Sequence, residues 1–524
     1  MKRRTFLKRT AAAAVASGFF PKGGSALLEP PHFDPGGFQS AIESSGDTTR
    51  VRDFFYKPKD GRVGDVIPFF SNGQFRIFHL YKADGVRYDT TWHQVSTDDF
   101  VHFTELGEML SAGGPEDQDH SVATGSVIEA GGRYHAFYTG FNSPRKTGKP
   151  EQGVLHAVSD DLVKWQKIPA DTFYAPEAIY ERDDWRDPFV FWNQEAQEYW
   201  MLVAARLRTG PKRRRGCTAL CTSKDLTKWE VKKPFWSPGL YYTHECPDLF
   251  RMGDWWYLIF SEFSQSSQTR YRMSRNITGP WMAPEIDTFD TRVLYAAKTA
   301  SNGKTRFLFG WNPLRAGGKD DGEWEWGGNL VVHQLAQRPN GELYVTMPAT
   351  IDRAFDRPMS LDIRSALGRC EIGKDSVKIN NLGSFGVATL ASMPARCKVT
   401  AAIDFAAGCQ SFGLMLKLLD DLDTCYYVRF EPANNRIVFD RWPRPGDVPY
   451  MTGLERPLKL SPDEPIEVQI IVDGTIAEVY AGGKIAMSTR IYSPNQGQLG
   501  VFVQEGSATF TRLGIYSMIE DKSR

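Results

Sequence analysis

The chain has 524 residues, enough for two domains, and its Lys+Arg and Asp+Glu counts balance at 63 each, so the net charge is zero. This balance lacks the basic footprint of a nucleic-acid-binding protein, and the one basic run, residues 212–215, is interpreted as a solvated loop. The aromatic content of 13%, with 47 Gly and 31 Pro, is typical of many short strands joined by turns.

The N-terminus has the pattern of a twin-arginine signal peptide over residues 1–26. Arg3 and Arg4 precede an Ala-rich apolar stretch from Ala11 to Phe20, which is too short to span a bilayer. We therefore expect export by the twin-arginine route to the periplasm or the extracellular space, with no membrane insertion after the signal is removed. Residues 27–50 form a lead-in segment rich in Pro, Gly and Ser.

The seven cysteines carry no paired CxxC spacing. Export in the folded state means folding in a reducing cytoplasm, so we expect mostly free, buried thiols and no disulfide framework. The sequence shows no metal-ligand motif.

Two elements recur along residues 51–350. The first is a Ser/Thr and Asp turn followed by an apolar residue and an aromatic, and its aspartates Asp99, Asp161 and Asp225 lie 62 and 64 residues apart. The second is a turn followed by an aromatic, apolar strand, with copies that begin near Phe75, Tyr134, Tyr199, Trp255 and Phe307. A period of roughly 50 to 65 residues with several short strands per unit predicts an all-β fold, a five-bladed β-propeller.

The repeat ends near Ile351. Alternating strands such as 425–430 and 466–472, separated by turns, predict a C-terminal β-sandwich over residues 351–524.

Three carboxylates open strands of similar layout. Asp65, Asp187 and Glu245 each precede the turn–aromatic element by a nearly fixed step, with Thr124 and Ser126 in the second unit. Because the first strand of each propeller blade lines the central channel, we expect these side chains to meet in one funnel. Two carboxyl groups with separated pKa values are what glycoside cleavage requires.

Other residues are candidates for sugar binding. Arg186, beside Asp187, is expected to stabilise an ionised aspartate and to hold sugar hydroxyls. Trp92 and Trp326, next to polar or Gly neighbours, are the best candidates for presenting an aromatic face to a sugar ring.

These residues resemble glycoside hydrolase family 32, the invertase, levanase and inulinase family. Glu245-Cys246-Pro247-Asp248 is similar to its acid/base motif and Arg186-Asp187-Pro188 to the motif whose aspartate stabilises the transition state. Asp65 takes the place of the nucleophile, and the resemblance covers nearly the whole chain after the signal.

The resemblance implies a retaining β-fructofuranosidase that acts on a carbohydrate substrate without a cofactor. Asp65 would attack the anomeric carbon, Glu245 would act as acid and then base, Asp187 and Arg186 would hold the furanose, and Cys246 would tune the acid.

The sequence departs from the family at the nucleophile. Gly64 stands where the family has Asn, and Val66 and Ile67 separate Asp65 from Pro68. Alternatives therefore stay open: a propeller enzyme acting on another furanoside such as an arabinofuranoside, possibly with inversion, a glycosyl transferase, or a non-catalytic sugar-binding propeller. The sequence carries no signal for the oligomeric state.

Overall fold

The computed structural model describes residues 50–85, 90–143, 147–444 and 453–518. Its regular structure is almost entirely antiparallel strand, which confirms the all-β prediction. The predicted signal peptide, and the lead-in segment up to residue 49, lie outside the described residues. No helix among the described residues is long and apolar enough to cross a membrane.

The N-terminal part consists of antiparallel meanders. The first contains β1 (Arg50–Arg52), β2 (Gly61–Ser71), β3 (Gln74–Ala83), β4 (Thr91–Thr97) and β5 (His102–Leu110). The second contains β6 (Ser121–Ala130), β7 (Arg133–Phe141), β8 (Gln152–Ser159) and β9 (Gln166–Lys167). The third contains β10 (Tyr180–Asn193), β11 (Glu198–Leu207), β12 (Gly216–Ser223) and β13 (Glu230–Val231). The fourth contains β14 (Glu245–Met252), β15 (Trp255–Glu262) and β16 (Gln268–Ser274). The last contains β17 (Tyr295–Ser301), β18 (Arg306–Arg315), β19 (Trp324–Gln337) and β20 (Leu343–Thr346).

The first strand of each meander contributes to a closed ring. Strand β2 contacts β6, β6 contacts β10, β10 contacts β14, β14 contacts β17, and β17 returns to β2. One backbone pair, Val63 with Gly328, also joins the last meander to the first. This arrangement confirms the predicted propeller, and we interpret the meanders as its five predicted blades.

The Ser/Thr and Asp repeat forms the same turn in three meanders. The carboxylate of Asp99, like those of Asp161 and Asp225, accepts two backbone N–H groups downstream. The apolar residue that follows has positive φ each time, at Phe100, Leu162 and Leu226. The side-chain hydrogen bonds stabilise this left-handed backbone, which explains why the motif recurs in the sequence.

Helix α1 (Ala349–Arg353) leads into the second domain, and the predicted boundary at residue 351 falls within it. The shorter strands of this domain are β21 (Arg357–Pro358), β22 (Arg364–Leu367), β23 (Cys370–Ile372) and β29 (Leu454–Pro457). The longer ones are β24 (Val377–Ser392), β25 (Arg396–Phe405), β26 (Ser411–Leu418), β27 (Cys425–Glu431), β28 (Arg436–Trp442), β30 (Ile466–Asp473), β31 (Ile476–Ala481), β32 (Ile485–Arg490) and β33 (Gln498–Ser517).

Strand β33 pairs with β24, β25 and β26 and ties this domain together. Alternate residues of its strands, among them Val399, Leu414 and Val501, pack into one apolar core. The β-sandwich prediction is confirmed. All seven cysteines are unpaired, and all but Cys370 are buried, as predicted.

The two domains share buried polar contacts. The Arg490 guanidinium of the sandwich donates hydrogen bonds to the carbonyls of Asn312 (2.7 Å) and Pro313 (2.9 Å) of the propeller. Nearby, the imidazole of His333 lies between Asp290 and the hydroxyl of Tyr480, each 2.9 Å away. These contacts fix the sandwich against the last blade.

Candidate active site

A cleft at the propeller axis brings the three predicted carboxylates together. It contains about 570 Å³ of space, open solvent included. It is lined by Asp65, Leu80, Thr90, Ala123, Thr124, Thr139, Phe141, Gln152, Arg186, Asp187, Glu245, Tyr295 and Trp326.

A β-bulge at the same place in every inner strand positions these residues. The ladders slip between Val63 and Val66, Val122 and Gly125, Arg186 and Phe189, Glu245 and Asp248, and Tyr295 and Lys298. A bulge inserts unpaired residues and redirects their side chains. Positive φ at Asp187, Cys246 and Ala296 accompanies three of these bulges.

The bulges place the carboxylates differently from the prediction, which put them at matching positions of their strands. Asp65 and Thr124 occupy the second inserted position, Asp187 occupies the first, and Glu245 is the paired residue just before the slip. The carboxylates are therefore not at one matching position. They converge because the bulge turns successive side chains toward the same axis.

Asp65 accepts hydrogen bonds on both oxygens. Its Oδ1 accepts the indole N–H of Trp311 at 3.0 Å, and its Oδ2 accepts the hydroxyl of Thr124 in a short hydrogen bond. Burial and the charge of Asp187 raise the pKa of Asp65 to about 6, and these hydrogen bonds oppose the rise. The carboxyl group is thus largely ionised at neutral pH.

Glu245 lies between a cation and a phenol. Its Oε1 accepts a 3.0 Å hydrogen bond from Arg186 Nη2, and its Oε2 accepts one of 2.5 Å from the hydroxyl of Tyr295. Burial raises the pKa of Glu245 to about 7 even though the Arg186 charge lowers it. Burial also raises the pKa of Tyr295 well above its usual value, so this hydroxyl remains a donor.

Asp187 is fixed from the backbone side. Its own N–H donates to Thr139 Oγ1 at 2.7 Å, and its Oδ2 accepts the backbone N–H of Cys246 at 2.9 Å. The thiol of Cys246 lies 3.8 Å from both Asp187 Oδ2 and Asp65 Oδ2. One buried cysteine therefore bridges two carboxylates from different blades.

Arg186 is held by four groups around it. It donates to Asp184 at 2.7 Å, to Thr243 at 3.1 Å, to Glu245 at 3.0 Å and to Gln152 at 3.4 Å. Arg186 is 3% exposed, so its positive charge acts on the neighbouring carboxylates through little water.

Three predicted binding residues, Trp92, Ser126 and Cys246, do not line the cleft, and Cys246 acts on it only through its contacts with Asp65 and Asp187. The other two make their polar contacts elsewhere. Trp92 is 0% exposed, packs between Phe78 and Tyr138, and donates its indole N–H to the carbonyl of Ala123 at 2.9 Å. Ser126 is buried, and its hydroxyl accepts the backbone N–H of Val190 at 3.0 Å, which joins the second blade to the third. Both are structural because their polar atoms are used within the propeller.

Sequence analysis missed Tyr295 and Trp311 as partners of the two central carboxylates. A signal for Tyr295 existed: it precedes the last turn–aromatic element, at Phe307, by 12 residues, the same step that links Asp187 to Tyr199. Thr139 and Gln152 also line the cleft, but each is an isolated polar residue in a strand and carried no such signal.

Within the part of the chain that the structure describes, one group of potential metal ligands occurs, and it lies outside the cleft. Asp290, His333 and Glu478, at the domain interface, have donor atoms within 4.8 Å of one another. The Ser488 hydroxyl lies between the two carboxylates, 2.6 Å from Asp290 and 2.5 Å from Glu478. These groups already hydrogen-bond one another, so the geometry does not call for a metal.

Two family models match this chain. Residues 58–335 match the model of the glycosyl hydrolases family 32 N-terminal domain, and residues 369–517 match that of the family 32 C terminal.

Among curated relatives, a sucrose-6-phosphate hydrolase of Streptococcus mutans is 23% identical over 479 residues, which covers 86% of this chain and 90% of the relative. One of Vibrio alginolyticus is 29% identical over 229 residues, or 42% of this chain and 43% of the relative. That second alignment therefore spans less than half of the relative's length.

Solved structures share the whole architecture. A fructan 1-exohydrolase IIa from Cichorium intybus has a TM-score of 0.69 at 17% identity and covers 91% of this chain and 98% of its own. A sucrose-6-phosphate hydrolase from Lactobacillus gasseri has a TM-score of 0.67 at 19% identity, with 89% and 93% covered. At these identities the likeness is one of fold.

Proposed function

Because the chain belongs to glycosyl hydrolase family 32, we propose that it is a retaining β-fructofuranosidase that hydrolyses the glycosidic bond of a fructose-containing oligo- or polysaccharide. The observation that carries this proposal is the convergence of Asp65, Asp187 and Glu245 from three blades in one cleft. The pKa of Glu245, about 7, lies above that of Asp65, about 6, so Glu245 is the better proton donor and Asp65 the better nucleophile for double displacement.

In the first step Asp65 attacks the anomeric carbon and displaces the leaving oxygen. Glu245 gives its proton to that oxygen, and the charge left on Glu245 is stabilised by Arg186 and Tyr295. Asp65 is oriented for attack because Thr124 and Trp311 hold its two oxygens.

In the second step Glu245 takes a proton from water, and the oxygen of that water attacks the anomeric carbon. The bond to Asp65 breaks, and the sugar leaves with its configuration retained. Asp187 and Arg186 hold the ring throughout, since both line the cleft and neither carries the reacting proton. No step uses a cofactor.

Product analysis tests the proposal. The protein is incubated with sucrose, levan, inulin and aryl arabinofuranosides, and the released sugars are identified. We expect fructose from at least one fructoside. Release of arabinose alone would favour the other furanoside, and release of no sugar from any of these substrates would contradict a glycosidase.

Variants of the two carboxyl groups test the mechanism. D65N should lose about 10⁴-fold or more of kcat with every substrate, because the nucleophile is removed. E245Q should lose much less with an aryl fructoside, whose leaving group needs no proton, than with sucrose. Wild-type activity in either variant would contradict these roles.

We also propose that residues 1–26 direct export by the twin-arginine route, on the basis of Arg3, Arg4 and the following apolar stretch. Replacing both arginines by lysine should retain the enzyme in the cytoplasm of an expressing cell. Unchanged export would contradict the proposal.

A further inference from the structure

Gly64, which precedes Asp65, is glycine for reasons of space. A Cβ placed there would lie 2.1 Å from Cη2 and 2.5 Å from Cζ2 of Trp326, closer than real Cβ atoms approach. Its φ is not positive, so the backbone conformation alone would accept other residues. The indole of Trp326 therefore occupies the volume that any side chain at position 64 would need.

Trp326 forms one wall of the cleft beside the proposed nucleophile. Its ring centroid lies 5.9 Å from that of Trp311, which donates to Asp65. Val66 and Ile67, which follow Asp65 in the sequence, are 0% and 2% exposed, and their side chains offer no polar group. The neighbouring cleft residues Leu80, Ala123 and Phe141 are also apolar.

The rest of the cleft is polar. Arg186, Asp187, Gln152, Thr139 and Glu245 line it. A sugar bound between such walls directs hydroxyls to one side and its C–H face to the other. Aromatic rings contact C–H faces well, because they provide a flat apolar surface without a hydrogen-bonding requirement.

We propose that Trp326 and Gly64 act as a pair that determines specificity: Trp326 stacks on the C–H face of the furanose at Asp65, and Gly64 admits its ring. The inference rests on the proposed function and names how that site selects its substrate. On this side the enzyme selects a ring shape rather than a hydroxyl pattern. For two furanosides that differ in one hydroxyl on this side, kcat/KM should therefore differ by only about 10- to 200-fold, as expected for an apolar contact.

A double-mutant cycle tests the pair. G64A pushes the indole out of place and W326A removes it, so each should raise KM for the best furanoside about tenfold or more and lower kcat less. In the W326A protein, G64A should have no further effect, because the group it displaces is gone.

A third variant keeps the test valid if G64A folds poorly. The atoms of Trp326 that would clash belong to the six-membered ring of the indole. A phenylalanine side chain at position 326 is shorter and would not extend as far toward residue 64. G64A/W326F should therefore recover at least part of the KM lost in G64A. The controls are G114A, where a Cβ would meet only a carboxylate oxygen at 3.3 Å, and W192A, whose ring is 40% exposed.

The outcomes separate the two proposals. Additive effects of G64A and W326A, or an unchanged KM in W326A, would overturn the pair while the glycosidase stands. No turnover of any furanoside by the wild-type protein would overturn the proposed function and the pair with it.

Discussion

The guanidinium of Arg186 donates a 3.0 Å hydrogen bond to the carboxyl group of Glu245, the group that must carry a proton at the start of the reaction. The contact lowers the pKa of Glu245, while burial raises it, and the balance lies at about 7. An acid poised there gives up its proton readily, and Arg186 stabilises the charge that results.

Loss of the Arg186 charge should make Glu245 a weaker acid. In R186Q the pKa of Glu245 rises, so the alkaline limb of the kcat/KM profile should move to higher pH while kcat/KM at pH 7 falls at least about 100-fold. R186K is the matched control: it keeps the charge, so its limb should stay near that of the wild type although activity falls. An alkaline limb unchanged in R186Q would show that another group controls it.

The wild-type profile should itself be bell-shaped and narrow. Asp65, with a pKa of about 6, must be ionised, so activity falls as the pH drops below that value. Glu245, with a pKa of about 7, must be protonated, so activity falls as the pH rises above it. Measurement of kcat/KM from pH 4 to pH 9 should place the maximum between the two (about 6 to 7), and a flat alkaline side would contradict the role of Glu245.

Trp311 should control the acidic limb. W311F keeps an aromatic ring but loses the N–H that donates to Asp65 at 3.0 Å. A hydrogen bond to a charged group contributes about 1.5–3 kcal/mol, so the pKa of Asp65 should rise and the acidic limb should move up by about one pH unit or more.

The control for that variant is W281F, which makes the same change at an indole N–H without a hydrogen-bond partner among the described residues. It should leave both limbs unchanged. A shift of the acidic limb in W281F as large as that in W311F would mean that lost volume, not the lost donor, causes it.

Most of the site prediction depended on the sequence repeat. Asp65, Asp187 and Glu245 could be placed in one site because each opens a strand whose distance to the next turn is nearly constant. The local backbone could not be predicted from spacing, because the bulge shifts each carboxylate to a different position within the slip. The spacing of 10 to 12 residues still identified the three carboxylates, because a bulge accommodates a difference of one or two residues.

Trp92 shows where sequence reasoning fails. It has polar neighbours in its strand, yet most of that strand is buried by the packing of the blades, so this large aromatic residue belongs to the core. Trp326, which is followed by two glycines, lies at the cleft, where Gly64 leaves room for it. Only the contact between two distant strands distinguishes these tryptophans.

The interface between the domains leads to a prediction about stability. Glu478 is 1% exposed, and the single hydroxyl proton of Ser488 faces both Glu478, at 2.5 Å, and Asp290, at 2.6 Å. One hydroxyl cannot donate to both carboxylates, so one of them must bring its own proton. Burial, and then the charge of Asp290, raise the pKa of Glu478 well above 4.5, which makes Glu478 the protonated member.

The sign of the pH dependence follows from proton counting. Above pH 4.5, the ordinary value, unfolded Glu478 loses its proton while the folded group keeps it, so the folded state binds more protons. The contribution of Glu478 to stability is therefore fully present at low pH and is lost as the pH rises toward the folded pKa, by at most about 1.4 kcal/mol per pH unit. E478Q cannot ionise and should remove this slope, because its amide still donates to the same partners.

Thermal unfolding from pH 5 to pH 9 measures the effect. We expect the melting temperature of E478Q relative to the wild type to increase steadily with pH, whereas E505Q, at an exposed glutamate of the same domain, should show a constant difference. Glu478 and its partners Ser488 and Asp290 do not line the cleft, so kcat should change little at pH 6. A melting-temperature difference that stays constant with pH would mean that Glu478 is ionised in the folded protein and that its charge is balanced by Arg456, the buried cation whose charge also acts on it.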